Sequence, residues 1–313
     1  MSNISRRQFL AGTSAAGVAA LTGRFSFAAE KPPRPARGTD LVALGRSGLK
    51  TTVLGIGTGT RGGREQRELQ QSGFTRLVRD AYDRGVRYID TADAYGTHPL
   101  VRPALRGLPR EQIFIQTKTR AKDAATAKAD IERFLKELDC EYIDSLLMHC
   151  MTRADWPTDM RPVMDVLSEA KQQKRVRAVG ISSHGMDPLV ASVDCDWIDI
   201  QLARINPFGD KMDGPAEQVA GHLKKMHEKG RGVIGMKIYG ETGFDTAEKR
   251  YESLKYVLGL GSVDAFTIGF VNVRQIDETL EMIETALAEL AGKRPAAAVS
   301  GWLDPSPAVM ATC

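Results

Sequence analysis

Four side chains in this sequence have the types and spacing to move a proton together. In DTADAYG, Asp90 and Tyr95 stand five residues apart directly after an apolar run, while IFIQTK ends on Lys118 and SLLMH ends on His149. A phenol with an ordinary pKa of about 10 is a poor acid at neutral pH, and a nearby ammonium such as that of Lys118 stabilises its phenolate. A lysine on an apolar strand end tends to lose its charge, which an adjacent carboxylate such as Asp90 opposes. An imidazole donates to a substrate oxygen on which negative charge develops, the role open to His149. No member of the set is a convincing nucleophile, so it suits proton transfer coupled to chemistry that a cofactor performs. Singly, each has a plainer role: Asp90 as a helix N-cap, Tyr95 as a packed aromatic, Lys118 as a snorkelling lysine, His149 as a core histidine. Their common place at the ends of consecutive apolar runs sets them apart.

Those runs imply the architecture. Short apolar segments occur at Val53 to Gly57, Tyr88-Ile89, Ile113 to Gln116, Ser145 to Met148, Val176 to Ile181, Ile198 to Leu202, Val233 to Ile238 and Ala265 to Ile268. Between them lie stretches with helical periodicity, such as TAKADIERFLKELD and VRQIDETLEMIETALAEL. Eight strand-helix units in about 250 residues predict a (β/α)8 TIM barrel, whose catalytic groups gather at the C-terminal ends of the strands. A doubly wound open sheet is the rival. It usually carries a GxGxxG turn, which the glycine-rich GIGTGTRGG does not match. Ahead of the first unit, a short β-hairpin is expected to turn at Ser47-Gly48. The expected organisation is a signal segment over 1–28, a linker over 29–40, the barrel over 41–290 and an Ala/Pro-rich tail over 291–313.

From Leu41 to Leu290 the sequence resembles the aldo-keto reductases. GVRYIDTADAYG is similar to the family's strand and loop bearing its aspartate and tyrosine, and the IQTK and LLMH endings match the places of its lysine and histidine. The resemblance implies hydride transfer from a reduced nicotinamide to a small-molecule carbonyl compound, with Tyr95 as proton donor, Lys118 and Asp90 tuning it, and His149 orienting the carbonyl. GISSH is similar to the segment that holds the nicotinamide carboxamide: Ser182 fits, and Ser183 stands where asparagine is common. Gln201 matches a glutamine of the same site. In GVIGMKIYG, Met236, followed by Lys237, occupies the place of a stacking tyrosine. IGFVNVRQIDET is similar to the phosphate-gripping stretch, with Asn272 and Glu278 on the phosphate and adenine sides. Gln275 replaces the usual arginine, with Arg274 beside it. Arginine meets a 2′-phosphate bidentately, so the implied cofactor is NADPH with NADH also admitted. His98 and Trp156 are candidates for the substrate loops, with a helix-start histidine and an aromatic covering a core edge as their plainer roles.

Two further readings stay open on these residues. Lys118 or Lys237 could form a Schiff base, as desolvated barrel lysines do. A barrel that binds nucleotide or ligand without turnover is the other.

The N-terminus reads as an address. Ser5-Arg6-Arg7-Gln8-Phe9-Leu10 precedes a small and apolar run from Ala11 to Leu21, then Ser26-Phe27-Ala28 as a cleavage site, which resembles a twin-arginine export signal. That run is too short and too rich in Ala and Gly to span a bilayer, so no stable membrane span is expected. The resemblance implies the twin-arginine machinery as a partner and the periplasm as destination. Of the formal charge of +4, Arg6, Arg7 and Arg24 account for three, which leaves about +1 and suggests no nucleic-acid partner. Cys140, Cys150, Cys195 and Cys313 have no metal-site spacing, so no metal is expected.

Overall fold

A computed structural model of the chain describes residues 34–241 and 243–293; the export signal, most of the linker, Cys313 and the tail from residue 294 lie outside them. The expected hairpin pairs β1 (Leu41–Ala43) with β2 (Lys50–Thr52), and Gly48 adopts φ 74 at its turn. The apolar runs form β3 (Leu54–Gly57), β4 (Tyr88–Asp90), β5 (Phe114–Thr119), β6 (Ile143–Met151), β7 (Val176–Ser183), β8 (Ile200–Arg204), β9 (Gly232–Met236) and β10 (Ala265–Gly269). All pair in parallel in chain order, and β10 closes on β3. This is the eight-stranded barrel.

The helices are α1 (Arg64–Glu68), α2 (Gln70–Asp83), α3 (His98–Leu105), α4 (Ala124–Leu138), α5 (Trp156–Asp159), α6 (Arg161–Gln172), α7 (Met186–Val193), α8 (Ala216–Glu228), α9 (Ala247–Leu260) and α10 (Val273–Leu290). Their sequences explain their ends and faces. The Asp123 carboxylate caps α4 by accepting from the Thr126 backbone N–H at 2.8 Å, and Ala127, Ile131, Phe134 and Leu138 bury one stripe at helical spacing. Asn272 caps α10 through the Gln275 N–H at 3.1 Å.

Two apolar layers result. An outer one packs the strands against helices, while Tyr88, Phe114, Leu147, Ala178, Ile200 and Ile234 fill the barrel interior. Leu44 and Leu49 of the hairpin join that interior and plug its lower end, so the polar strand ends lie at the opposite mouth. No helix of the described residues is long and apolar enough to cross a membrane.

A buried carboxylate fastens three strands. Asp144, 1% exposed, accepts from Arg110 Nη2 at 2.7 Å, from the Ile115 N–H at 2.9 Å and from Arg177 Nη1 at 2.7 Å. Asp144→Ala leaves two guanidinium groups and a buried N–H without their acceptor. Denaturant unfolding should show a loss of about 3 to 5 kcal/mol at unchanged m-value; a loss below about 1 kcal/mol would assign these contacts no part in holding the barrel.

Candidate active site

The period of two along each strand turns Asp90, Lys118 and His149 inward, on the same faces as Tyr88, Phe114 and Leu147. Lys118 is fully buried, and its Nζ donates to Asp90 Oδ1 at 2.7 Å and to the Thr91 carbonyl at 2.8 Å. Asp90 also accepts from Gln116 Nε2 at 2.8 Å. Burial pulls the ammonium down, but Asp90 and Tyr95 outweigh it and hold Lys118 above its ordinary pKa.

Tyr95 ends a single 3-10 turn (Asp93–Tyr95) that Gly96 terminates at φ 63. A buried hydroxyl chain fixes that loop: Thr97 Oγ1 lies 2.8 Å from Thr58 Oγ1 and 2.9 Å from Thr91 Oγ1. Arg67 donates to the Tyr95 backbone carbonyl. The Lys118 ammonium sits 5.0 Å from the Tyr95 ring centroid. Burial raises the phenol's pKa, and the opposing pull of Lys118 reduces the rise without reversing it. Lys118 does favour the phenolate, as the sequence suggests, but desolvation of that anion is the larger effect. Tyr95 therefore keeps its proton at neutral pH.

His149 meets Tyr95 edge to face, with 5.5 Å between ring centroids. Its Nδ1 is buried without a hydrogen bond among the described residues. Burial, then the charges of Lys118, His184 and Arg120, lower its pKa to about 2, so the ring is neutral.

Beside these groups opens a cleft of about 510 Å³, lined by Gly59, Asp90, Tyr95, Met236, Lys237 and Thr267, among others. Glycines shape it, since a Cβ on Gly59 would lie 2.6 Å from the Tyr95 ring and one on Gly269 1.9 Å from Thr60 Oγ1. Glu241 spans one side of it, accepting from the Arg61 N–H at 3.1 Å and from Lys237 Nζ at 2.9 Å.

Residues 53–255 match the family model described as Aldo/keto reductase family. The chain belongs to that family. Residues 3–23 match the model of the TAT (twin-arginine translocation) pathway signal sequence. Among curated relatives, an aldo-keto reductase of Mycobacterium sp. (strain MCS) is 31% identical over 178 residues, 54% of this chain and 58% of that protein. The NADH-specific methylglyoxal reductase of Escherichia coli is 24% identical over 199 residues, 56% of this chain and 60% of that one. The chain spans about half the length of the curated relatives it matches. A solved aldo-keto reductase from Bacillus halodurans, in its holo form, shares the fold with a TM-score of 0.63 at 18% identity, covering 83% of this chain and 98% of that one.

Within this aldo/keto reductase barrel the remaining sequence candidates distribute unevenly. Met236 and Lys237 line the cleft. Ser182, Ser183 and Gln201 are fully buried where β7 meets β8. Ser182 Oγ accepts from the Cys150 N–H at 2.8 Å, and Gln201 Nε2 donates to Ser183 Oγ at 3.1 Å. Asn272, Arg274, Gln275 and Glu278 cluster at the start of α10, where Gln275 Oε1 accepts from the Val271 N–H and Arg274 pairs with Glu278 at 2.7 Å.

The two substrate-loop candidates sit in packed surroundings, in line with their plainer roles. His98, on α3, faces α4: its ring nitrogens meet Glu137 and Thr117, each at 2.8 Å, and Phe134 packs on it edge to face. Trp156 is 2% exposed, donates to the Pro188 carbonyl at 3.3 Å and packs near Trp197. Both are satisfied packing residues, because the helices they begin press them against neighbouring helices. Reasoning from sequence missed His184 and Arg120, which act on His149, and Arg204, which contacts His184; His184 directly after GISS, at a strand end, was the available signal.

Burial and neighbouring cations depress His149 to about 2 and, by the same causes, His184 to about 4. Unfolded histidines take up protons near pH 6.5. Histidines held neutral in the fold therefore make stability fall as pH drops below about 6.5, down to those folded values. NMR titration of the imidazole protons should find two rings with inflections near these values. Inflections of both near pH 6.5 would show that the mouth is far wetter than this packing allows.

Proposed function

We propose that this chain is an NADPH-dependent carbonyl reductase, also accepting NADH, that converts an aldehyde or ketone to an alcohol with Tyr95 as general acid. The observation that carries the reading is the juxtaposition of a protonated Tyr95, a fully buried Lys118 ammonium locked to Asp90, and a neutral His149 beside one cleft.

The cleft suits a nicotinamide nucleotide. Thr267 Oγ1, on its wall, and Gln201 Oε1, near its rim strands, are buried and unpartnered among the described residues. The missing side chains of Gly59 and Gly269 leave room for a flat ring. Ser182, Ser183 and Gln201 would hold the carboxamide: each serine oxygen already accepts a hydrogen bond, so its own proton is free to donate. Met236 and Lys237 would flank the ring, and Asn272, Arg274, Gln275 and Glu278 the adenosine end. When bound, the reduced nicotinamide supplies the hydride.

The chain's own residues do the rest. The neutral His149 imidazole, in the tautomer protonated on Nε2, would donate to the carbonyl oxygen and place it within reach of Tyr95. As negative charge develops on that oxygen, Tyr95 gives up its proton, and the Lys118 ammonium stabilises the phenolate left behind. Asp90 keeps Lys118 charged without competing for the substrate. A Schiff base at Lys118 is disfavoured, since that nucleophile must be an unprotonated amine and Lys118 is held protonated. The twin-arginine signal supports export of the folded, nucleotide-loaded protein to the periplasm.

Gln275 is engaged with its own loop and Arg274 with Glu278, so discrimination between NADPH and NADH should be less than about tenfold. Fluorescence titration of the leaderless protein with each nucleotide measures this. Tyr95→Phe should keep nucleotide affinity while lowering turnover of 4-nitrobenzaldehyde about 100-fold or more. Absence of saturable binding of either nucleotide would sink the reductase reading.

A further inference from the structure

We propose that His184, oriented by Arg204, is a second hydrogen-bond donor at the substrate end of this site, and that the carbonyl substrate carries a carboxylate next to its carbonyl, as a 2-oxo acid does. The inference rests on the carbonyl-reductase reading above and names its substrate class.

The geometry fixes what His184 can do. Arg204 Nη2 lies 2.5 Å from His184 Nδ1. A guanidinium only donates, so Nδ1 must accept and the ring's proton must reside on Nε2. Arg204 is itself held by Asp213, which is 1% exposed and 3.1 Å from Nη1. The burial and the neighbouring cations that depress His184 keep the ring in that neutral form. Its Nε2 makes no hydrogen bond among the described residues, and its ring centroid lies 6.2 Å from that of His149 at 83°. Tyr95 meets the same His149 ring. With His149 donating from Nε2 as in the reading above, two imidazole donors stand next to each other, the first beside the proton donor.

A simple aldehyde has one oxygen and uses one of these donors. The second donor needs a second oxygen on a neighbouring carbon. Charge then selects its kind. Lys118, Arg204 and Lys237 each have an acidic partner in Asp90, Asp213 and Glu241. Arg120, exposed directly after β5, has no ion pair among the described residues, and its charge acts on both His149 and His184. One unbalanced cation beside a fixed neutral donor matches one carboxylate. In the reaction, C2 of the 2-oxo acid accepts the two electrons and hydrogen of the hydride, and its oxygen takes the Tyr95 proton. The products are the 2-hydroxy acid and oxidised nicotinamide, and Tyr95 regains a proton from solvent.

The test compares phenylglyoxylate with its uncharged ethyl ester, using nucleotide-saturated protein and Arg120→Gln and His184→Phe variants. The acid should exceed the ester in kcat/KM by at least about tenfold, and each variant should lower that ratio about tenfold, chiefly through KM. Arg120 is exposed and has no ion pair among the described residues, so its variant stands alone should His184→Phe fold poorly. An ester turned over as well as the acid, or a ratio unmoved by both variants, would overturn the inference. Turnover of 4-nitrobenzaldehyde separately reports on the reductase reading. Should that turnover be absent, calorimetric titration with phenylglyoxylate reads the anion site directly. Binding at about 1 mM that is lost in Arg120→Gln supports the site, and no binding overturns it.

Discussion

A fully buried ammonium is the constraint around which this site is built. Leaving Lys118 unpaired in the barrel interior would cost several kcal/mol, so the fold must deliver a carboxylate and a carbonyl to one nitrogen. Asp90 and Thr91 can do so only because β4 and β5 are paired in register, Asp90 opposite Gln116, two residues before Lys118. The same register lets Gln116 brace the carboxylate. Parallel pairing around a closed barrel is thus what makes the buried charge tolerable.

Once that charge is in place, burial sets the protonation of its neighbours. Removing water from Tyr95 disfavours the phenolate, and removing it from His149 disfavours the imidazolium. Lys118 works against the first effect and with the second. The outcome is a set in which phenol, ammonium and imidazoles all hold donatable protons and, of these groups, the lysine alone carries a charge. Such a site meets developing negative charge without reorganising, the condition under which electrostatic stabilisation is largest.

His98 and Trp156 show how much a place just after a strand leaves open. Both follow strand ends closely, a place that suits a substrate loop and a helix start alike. Each in fact begins a helix, and a residue at a helix start faces whatever packs on that helix. For His98 this is α4, through Glu137 and Phe134; for Trp156 it is the α7 region, through Pro188. In a barrel, a polar residue on a strand's inner face at its C-terminal end stays at the mouth, whereas one a few residues later depends on the helix it joins.

By itself the sequence determined the class of architecture, the eight strands, and the place of Asp90, Lys118 and His149 at or near the C-terminal ends of three of them, because strand period and strand ending are local properties. Its motifs also resemble those of the aldo-keto reductases, the family whose model residues 53–255 match. Only the tertiary structure decided which way the loop residues face, that desolvation outweighs Lys118 at Tyr95, and that Arg204 fixes the tautomer of His184. Each of these depends on groups distant in sequence or on the exclusion of water. Arg204 stands 20 residues from His184, and burial is a property of the whole barrel.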